Sequence, residues 1–180
     1  MPKTLLINPN TSTLIMIDFQ GRLMPAIEHG ESVLQHSLRL AKIAQLLQIP
    51  IIGTEQSPQS LGNNLESIQK FCTVTISKEH FNACSDGLVE VLPTGRNQLV
   101  LVGCETHVCL MQTALGLLDR EFDVAIVVDG VGSRRALDKE LALERLQSSG
   151  ARIISSEMLA FEWLASTHNP HFKQILQLVK

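Results

Sequence analysis

Residues 97–121, NQLVLVGCETHVCLMQTALGLLDRE, are the stretch that decides the fold. Residues 99–102 form an apolar run, which is typical of a strand buried on both faces of a parallel sheet. Gly103 interrupts the run, and a mostly apolar segment of helical length follows it. We therefore predict a strand, a tight glycine turn and a helix, so that the N-terminus of the helix meets the carboxyl edge of a sheet.

Cys109 is the leading candidate for a reactive group in this stretch. With Thr106 as the predicted N-cap, Cys109 occupies the third helical position, inside the first turn. Unpaired N–H groups and the helix dipole favour negative charge there, so we expect the pKa of this thiol to lie below that of a free cysteine. A buried cysteine that serves only as a small hydrophobic residue would give the same local pattern. Partners elsewhere in the chain have to decide between the two roles.

The composition indicates a globular protein and excludes several classes of partner. The 180 residues carry a net charge of -3 and no basic cluster, so neither nucleic acid nor an anionic membrane is a predicted partner. No apolar run approaches the roughly 20 residues that span a bilayer, and residues 1–13 lack the apolar core of a secretory signal. The cysteines show no spacing of a disulfide framework, and we therefore predict a cytoplasmic protein with reduced thiols; they are Cys72, Cys84, Cys104 and Cys109.

Apolar runs and segments of helical period alternate along the chain. Helices are predicted between the strands, and the strands are predicted at residues 13–17, 51–53, 73–76, 99–102, 122–128 and 151–154. Such alternation predicts an α/β fold with three layers, a doubly wound six-stranded parallel sheet of order 3-2-1-4-5-6 and helices on both faces. The whole chain, 1–180, is predicted to be a single domain, with an N-terminal tail at 1–12 and a C-terminal helix at 169–180.

A carboxylate, an amine and a thiol each follow a predicted strand. Asp18 comes after the first strand, Lys78 after the third, and Cys109 in the first turn after the fourth. A loop-capping aspartate and a solvated lysine are the ordinary roles of the first two residue types. In the predicted strand order, however, all three side chains emerge at one edge of the sheet, where open α/β folds place their sites. We predict that the ammonium stabilises a thiolate, that the carboxylate transfers the thiol proton, and that backbone N–H groups hold an oxyanion.

Metal binding and a redox switch are weaker interpretations of the same cysteines. Cys104, His107 and Cys109 make a poor metal site, because positions 107 and 109 of a helix point to different faces. We therefore predict no metal and no cofactor. A reversible bond between Cys104 and Cys109 stays open as a third function, although the pair is not a C-x-x-C motif.

Three motifs together resemble the isochorismatase-like cysteine hydrolase family. They are IDFQ at 17–20, Lys78, and GCETHVC at 103–109, which matches the family pattern G-x-x-T-x-x-C; a DG pair at 129–130 and an SR pair at 133–134 add to them. The resemblance extends from residue 13 to about residue 164. It implies that Asp18, Lys78 and Cys109 form a catalytic triad, and that the amides of Glu105 and Cys109 form the oxyanion hole. It also implies a cis peptide between Cys104 and Glu105.

The chain departs from the better-known members of that family at one loop. Nicotinamidases carry an Asp-x-His metal-binding pattern after the second strand, where this chain reads TEQSP at 54–58. Isochorismatases proper lack the nucleophilic cysteine. The resemblance is therefore to a branch that is poorly characterised, in which the motif does not identify the substrate.

The sequence thus predicts a hydrolase of a small amide or related acyl compound that acts through a Cys109 thioester. Gln20, Phe81 and His107 are predicted to line the substrate pocket. The alternative, from a different class, is a catalytically silent oligomeric binding or scaffold protein on the same fold. A homo-oligomer is predicted in either case, because the helix after Thr106 is apolar nearly all round.

Overall fold

A single six-stranded sheet organises the structure, a computed structural model that describes residues 5–180. All of its strands run parallel, in the order β3-β2-β1-β4-β5-β6. The strands are β1 (Ser12–Ile17), β2 (Ile51–Gln56), β3 (Val74–Lys78), β4 (Gln98–Cys104), β5 (Asp123–Gly132) and β6 (Arg152–Ile154). The predicted α/β class and strand order are confirmed.

Alternation along the central strands divides the core into two clusters on opposite faces of the sheet. Leu14 and Met16 of β1 belong to one cluster, whereas Ile15 and Ile17 of the same strand belong to the other. All of these side chains are buried, as expected where helices cover both faces of a parallel sheet.

Helices cover both faces. The face of Leu14 is covered by α1 (Gly30–Leu46), α6 (Ser156–Leu164) and α7 (Phe172–Val179), and the face of Ile15 by α4 (Met111–Leu118) and α5 (Ala136–Ser148). Two short helices, α2 (Pro58–Leu61) and α3 (Glu66–Gln69), follow β2. The predicted C-terminal helix at 169–180 is the shorter α7, and part of the predicted tail at 1–12 lies outside the described residues.

Four strands extend further at their carboxyl ends than their apolar runs predict. β2 continues to Gln56 and β3 to Lys78, and these two residues pair in register. β4 continues through Gly103 to Cys104, which pairs with Gly132 of β5. On β2 and β3 the apolar pattern ends early because Gln56 and Lys78 face the buried ion pair rather than the apolar core.

Gly103 does not end the strand; it permits a close approach of two strands. Its φ is 125°, and a Cβ atom at this position would lie 2.0 Å from the carbonyl oxygen of Ile17. Only glycine is compatible with that backbone conformation and that distance.

The helix that follows begins one residue earlier than predicted. Glu105, not Thr106, is its N-cap, and its first turn is a π-helix, Thr106–Leu110, in which the Leu110 amide donates to the Glu105 carbonyl at 3.2 Å. Cys109 is therefore at the fourth helical position rather than the third. π turns of this kind are frequent at functional sites.

Candidate active site

Asp18 and Lys78 form a buried ion pair at the carboxyl edge of the sheet. Lys78 Nζ lies 2.8 Å from Asp18 Oδ2, and both side chains are completely buried. Because β2 separates β3 from β1, the lysine must cross about 10 Å between alternate strands, and only a long side chain can do so. The strand order therefore brings together two residues that are 60 positions apart in the sequence.

Asp18 is held in place by its neighbours on β2. Its φ of 50° is in the left-handed region, and its amide donates to the Thr54 carbonyl at 3.2 Å. Thr54 Oγ1 in turn donates to Asp18 Oδ1 at 2.7 Å. One carboxylate oxygen thus accepts from a hydroxyl and the other contacts the ammonium, which fixes the orientation of the carboxylate.

Cys109 lies next to this pair, as predicted, but its protonation state differs from the prediction. The thiol is only 6% exposed. Burial and, after it, the negative charge of Asp18 raise its pKa to about 12, and Lys78 offsets only part of the effect. The expected lowering of the Cys109 pKa is therefore wrong, because loss of solvent and the nearby anion outweigh the helix N-terminus and the ammonium. The resting sulfur is a thiol, and a base has to remove its proton.

The segment before Cys109 is tied to the turn after β5. The peptide bond between Cys104 and Glu105 is cis. The Glu105 carboxylate accepts hydrogen bonds from the backbone N–H and from Nε of Arg134, both at 3.0 Å. The contacts between Glu105 and Arg134 hold the backbone at Glu105 in place. The oxyanion hole made by the Glu105 and Cys109 amides stays a prediction.

The three predicted pocket residues have different environments. Gln20 is completely buried, and its amide bonds the backbone of Gln56 and Gly62, so in this structure it supports the end of β2; its predicted substrate contact stays a prediction. Phe81 is 50% exposed beside the end of β3. His107 is half-buried, and its Nδ1 lies 2.9 Å from Ser133 Oγ. Substrate contact by Phe81 and His107 stays a prediction.

The loop that binds metal in nicotinamidases makes protein contacts here. Glu55 accepts from the Asn64 amide at 2.7 Å and from Asn63 Nδ2 at 3.2 Å, while Thr54 and Gln56 face Asp18 and Lys78. Within residues 5–180, no three His, Cys, Asp or Glu side chains are grouped so as to hold a metal ion.

We expect any hydrolase activity to survive dialysis against EDTA. The physical reason is that divalent metals need several His, Cys or carboxylate ligands, and the described site offers only Cys109 and Asp18, the latter already paired with an ammonium. The measurement is the rate before and after chelation. Loss of activity that zinc or iron restores would contradict this prediction.

Cys104 and Cys109 lie on opposite sides of the sheet. Cys104 belongs to the cluster of α1 and contacts Met24 Sδ at 3.8 Å, whereas Cys109 belongs to the cluster of α4. All four cysteines are free thiols. The placement on two faces argues against the redox switch that the sequence left open.

Stability should fall steeply at alkaline pH. Burial raises the pKa of Cys104 to about 12 and that of Cys72 to about 11, from 9.0. A raised folded-state pKa means that the folded protein holds the proton more tightly, so this stabilisation is complete below pH 9 and is lost as pH rises towards 12. Each such thiol contributes a slope of about 1.4 kcal/mol per pH unit in that window.

Urea unfolding between pH 8.5 and 10.5 measures this slope, with no tyrosine in the chain to titrate. Cys104→Ala should reduce the slope of the unfolding free energy against pH by the contribution of one titrating proton, roughly 1.4 kcal/mol per pH unit. An unchanged slope in this variant would show that Cys104 does not titrate in the expected way.

Two polar neighbours of the Asp18–Lys78 pair were not predicted, namely Thr54 and Gln56. Both stand on β2, between the strands that carry Asp18 and Lys78. The predicted strand order could have revealed them, since the carboxyl end of β2 must lie between the carboxyl ends of β1 and β3.

No helix in the described part of the chain has the length and apolar character that crossing a bilayer requires.

Comparisons with known proteins agree with this architecture. Residues 12–158 match the family model described as isochorismatase domain. Isochorismatase domain-containing protein 1 of Danio rerio is 35% identical over 177 residues, which are 97% of this chain and 62% of that protein. The chain thus spans less than two thirds of the length of that relative.

Two solved structures share the fold. MAR1 ribonuclease from Caenorhabditis elegans superposes with a TM-score of 0.91 at 32% identity, over 97% of this chain and 92% of that one. The YcaC gene product of Escherichia coli, described as an octameric hydrolase of unknown specificity, superposes with a TM-score of 0.88 at 21% identity, over 99% and 97% of the two chains. At that identity the second likeness concerns the fold alone.

Proposed function

Since this chain belongs to the isochorismatase-like hydrolase family, we propose that it hydrolyses a small amide or related acyl compound through a thioester on Cys109. The observation that carries the proposal is the contact of a buried carboxylate, an ammonium and a thiol. Asp18 and Lys78 are 2.8 Å apart, and both charges act on the pKa of the Cys109 thiol, which Asp18 raises and Lys78 lowers. An ion pair that is completely buried is costly to desolvate, which is more readily explained by chemistry than by stability.

The first half of the reaction transfers the acyl group to sulfur. The Asp18 carboxylate accepts the Cys109 proton as the sulfur attacks the carbonyl carbon, because the resting sulfur is a thiol. The carbonyl electron pair moves to oxygen, where the amides of Glu105 and Cys109 stabilise the charge. When the intermediate collapses, the C–N bond breaks and Asp18 returns the proton to the leaving amine. Lys78 stays an ammonium and stabilises the thiolate as it forms.

The second half releases the acid and restores the enzyme. Asp18, again a carboxylate, accepts a proton from a water molecule that attacks the thioester carbon. The C–S bond then breaks, and the proton passes to the departing sulfur. The products are a carboxylic acid and the free thiol, so no cofactor is consumed and the proton balance closes.

A panel of small primary amides, N-substituted amides and thioesters tests this proposal. We expect amine release from at least one member, with saturation in substrate. RNA belongs in the panel because one structural relative is named a ribonuclease. We expect no RNA cleavage, since the net charge is -3 and the chain lacks a basic cluster. Cleavage of RNA alone would contradict the proposed substrate class.

The alternative is a silent binding or scaffold protein on the same fold. It predicts that no acyl donor modifies Cys109, and that substitution of the triad changes stability without changing any reaction rate. A cytoplasmic location is part of our proposal in both cases, and the four free thiols support it.

We expect a homo-oligomer in solution. Leu137 and Leu141, one turn apart on α5, are 63% and 55% exposed, and on α4 the side chains of Met111, Leu115 and Leu118 are only half-buried. Apolar surface of this kind often marks an interface. Light scattering at micromolar concentration gives the mass, and a value of 19.8 kDa, that of one chain, would refute the prediction.

A further inference from the structure

Gln56 joins the triad to the end of β2. It is 8% exposed, and its Oε1 lies 2.6 Å from Lys78 Nζ and 3.8 Å from Cys109 Sγ. It is therefore in contact with both the cation and the nucleophile of the proposed reaction. Nothing in the three sequence motifs that carry the family resemblance assigns a role to this side chain.

The hydrogen bonds fix the orientation of the Gln56 amide. Its Nε2 donates to the Glu79 carbonyl at 2.8 Å, and a carbonyl oxygen can only accept. The oxygen of the amide must therefore point to the opposite side, towards the Lys78 ammonium, which can only donate. A reversed amide would place two donors together at Lys78 and two acceptors together at Glu79.

Gln20 holds the backbone of Gln56. Its Oε1 accepts from the Gln56 amide at 2.8 Å, and its Nε2 donates to the Gln56 carbonyl at 2.9 Å. β1 ends at Ile17, so the last backbone groups of β2 have no strand partner on that side, and the Gln20 side chain supplies both hydrogen bonds instead. Gln56 is thus anchored on its backbone and on its side chain.

The ammonium of Lys78 has three N–H donors. One is directed to Asp18 and one to Gln56, whose Oε1 also lies 3.8 Å from Cys109 Sγ, so the ammonium is held beside the thiol. We propose that Gln56 is a positioning residue that holds Lys78 between Asp18 and Cys109, a role that rests on the proposed cysteine hydrolase function. Without the second acceptor, the ammonium would follow Asp18 alone, and its contact with the sulfur would loosen.

Two substitutions and one control test this role. Gln56→Met removes the acceptor at nearly constant volume, and Gln45→Met replaces an exposed glutamine of α1. For Gln56→Met we expect kcat to fall by about 10- to 100-fold with KM within about twofold, as for a small misplacement of a catalytic group. Gln45→Met should match the unsubstituted protein.

The pH dependence of the Gln56→Glu variant distinguishes a positioning role of Gln56 from a role that only fills space. The ionised carboxylate faces the Glu79 carbonyl and competes with Asp18 for Lys78, whereas the protonated carboxyl reproduces the donor and acceptor pattern of glutamine. The activity of this variant relative to the unsubstituted protein should therefore be lowest at pH 8, and should rise at least about tenfold as pH falls towards 5.

The rate at which iodoacetamide alkylates Cys109 provides a readout that needs no substrate. At pH 9 the Gln56→Glu variant should react about tenfold more slowly, because a second carboxylate disfavours the thiolate. Unchanged alkylation together with unchanged kcat in both Gln56 variants would overturn the inference while leaving the hydrolase intact. If no acyl donor reacts with the unsubstituted protein, the hydrolase proposal fails, and the alkylation rates still decide whether Gln56 governs the thiol.

Discussion

Lys78→Met is expected to lower the free energy of unfolding by about 3–5 kcal/mol, the usual cost of removing one partner from a buried ion pair. The Asp18 carboxylate is completely buried, so without the ammonium it keeps only Thr54 as a side-chain donor. Urea unfolding at pH 7 measures the change. Lys42→Met, at an exposed lysine of α1, is the matched control and should stay within about 0.5 kcal/mol.

The double variant separates charge from packing. Asp18→Asn combined with Lys78→Met removes both charges, and we expect most of the lost stability to return, since a neutral replacement of a buried pair is often tolerated. If Lys78→Met and Lys42→Met changed the free energy of unfolding equally, the buried ion pair would not contribute to stability as expected. Lys78→Met and the double variant should both lose hydrolase activity, whatever their stability.

Cys109→Ala is expected to reduce kcat by at least about 10³-fold, which corresponds to about 4 kcal/mol of transition-state stabilisation. The other three thiols are placed differently: Cys104 lies on the opposite face of the sheet, Cys72 precedes β3, and Cys84 Sγ contacts the Thr113 carbonyl. The rate of amine release is the measurement, with thermal unfolding as the check on folding.

Cys84→Ala is the matched control, since Cys84 is a buried thiol of the same apolar cluster. It should keep the kcat of the unsubstituted protein. If Cys109→Ala retained more than about a tenth of the activity, covalent catalysis by this sulfur would be wrong.

The parts of the fold that could be predicted are those whose residues face the core. The runs at 13–17 and 99–102 are buried on both faces, and their continuous apolar character indicated the central strands. Alternation with helices then gave the strand order, since right-handed crossovers leave few arrangements. Asp18, Lys78 and Cys109 could be placed at one edge for the same reason.

The ends of the strands and the chemistry of the thiol could not be predicted as well. Gln56 and Lys78 continue the sheet through backbone hydrogen bonds, which leave no apolar pattern in the sequence. The pKa of Cys109 depends on burial and on the distance to Asp18, and neither quantity is contained in the local sequence. Local position on a helix therefore predicted the wrong direction for its shift.

The role of Gln20 shows the same limit. Gln20 was predicted to line the pocket, and nothing in the sequence indicated its second role: β1 ends before it and leaves the backbone of Gln56 without a strand partner on that side. The Gln20 side chain supplies the missing hydrogen bonds to that backbone instead. Unpaired backbone groups at a buried strand end must be satisfied, and this requirement becomes visible only once the strands are aligned.

The intact mass of the protein after reaction with an activated acyl donor tests the central claim most directly. A slowly hydrolysed thioester or activated ester, quenched in acid within seconds, should add one acyl group, and peptide mapping should place it on Cys109. The added mass should disappear as the acid product forms, and Cys109→Ala should remain unmodified. An unmodified protein under conditions in which product accumulates, or an acyl group on another cysteine, would contradict the account.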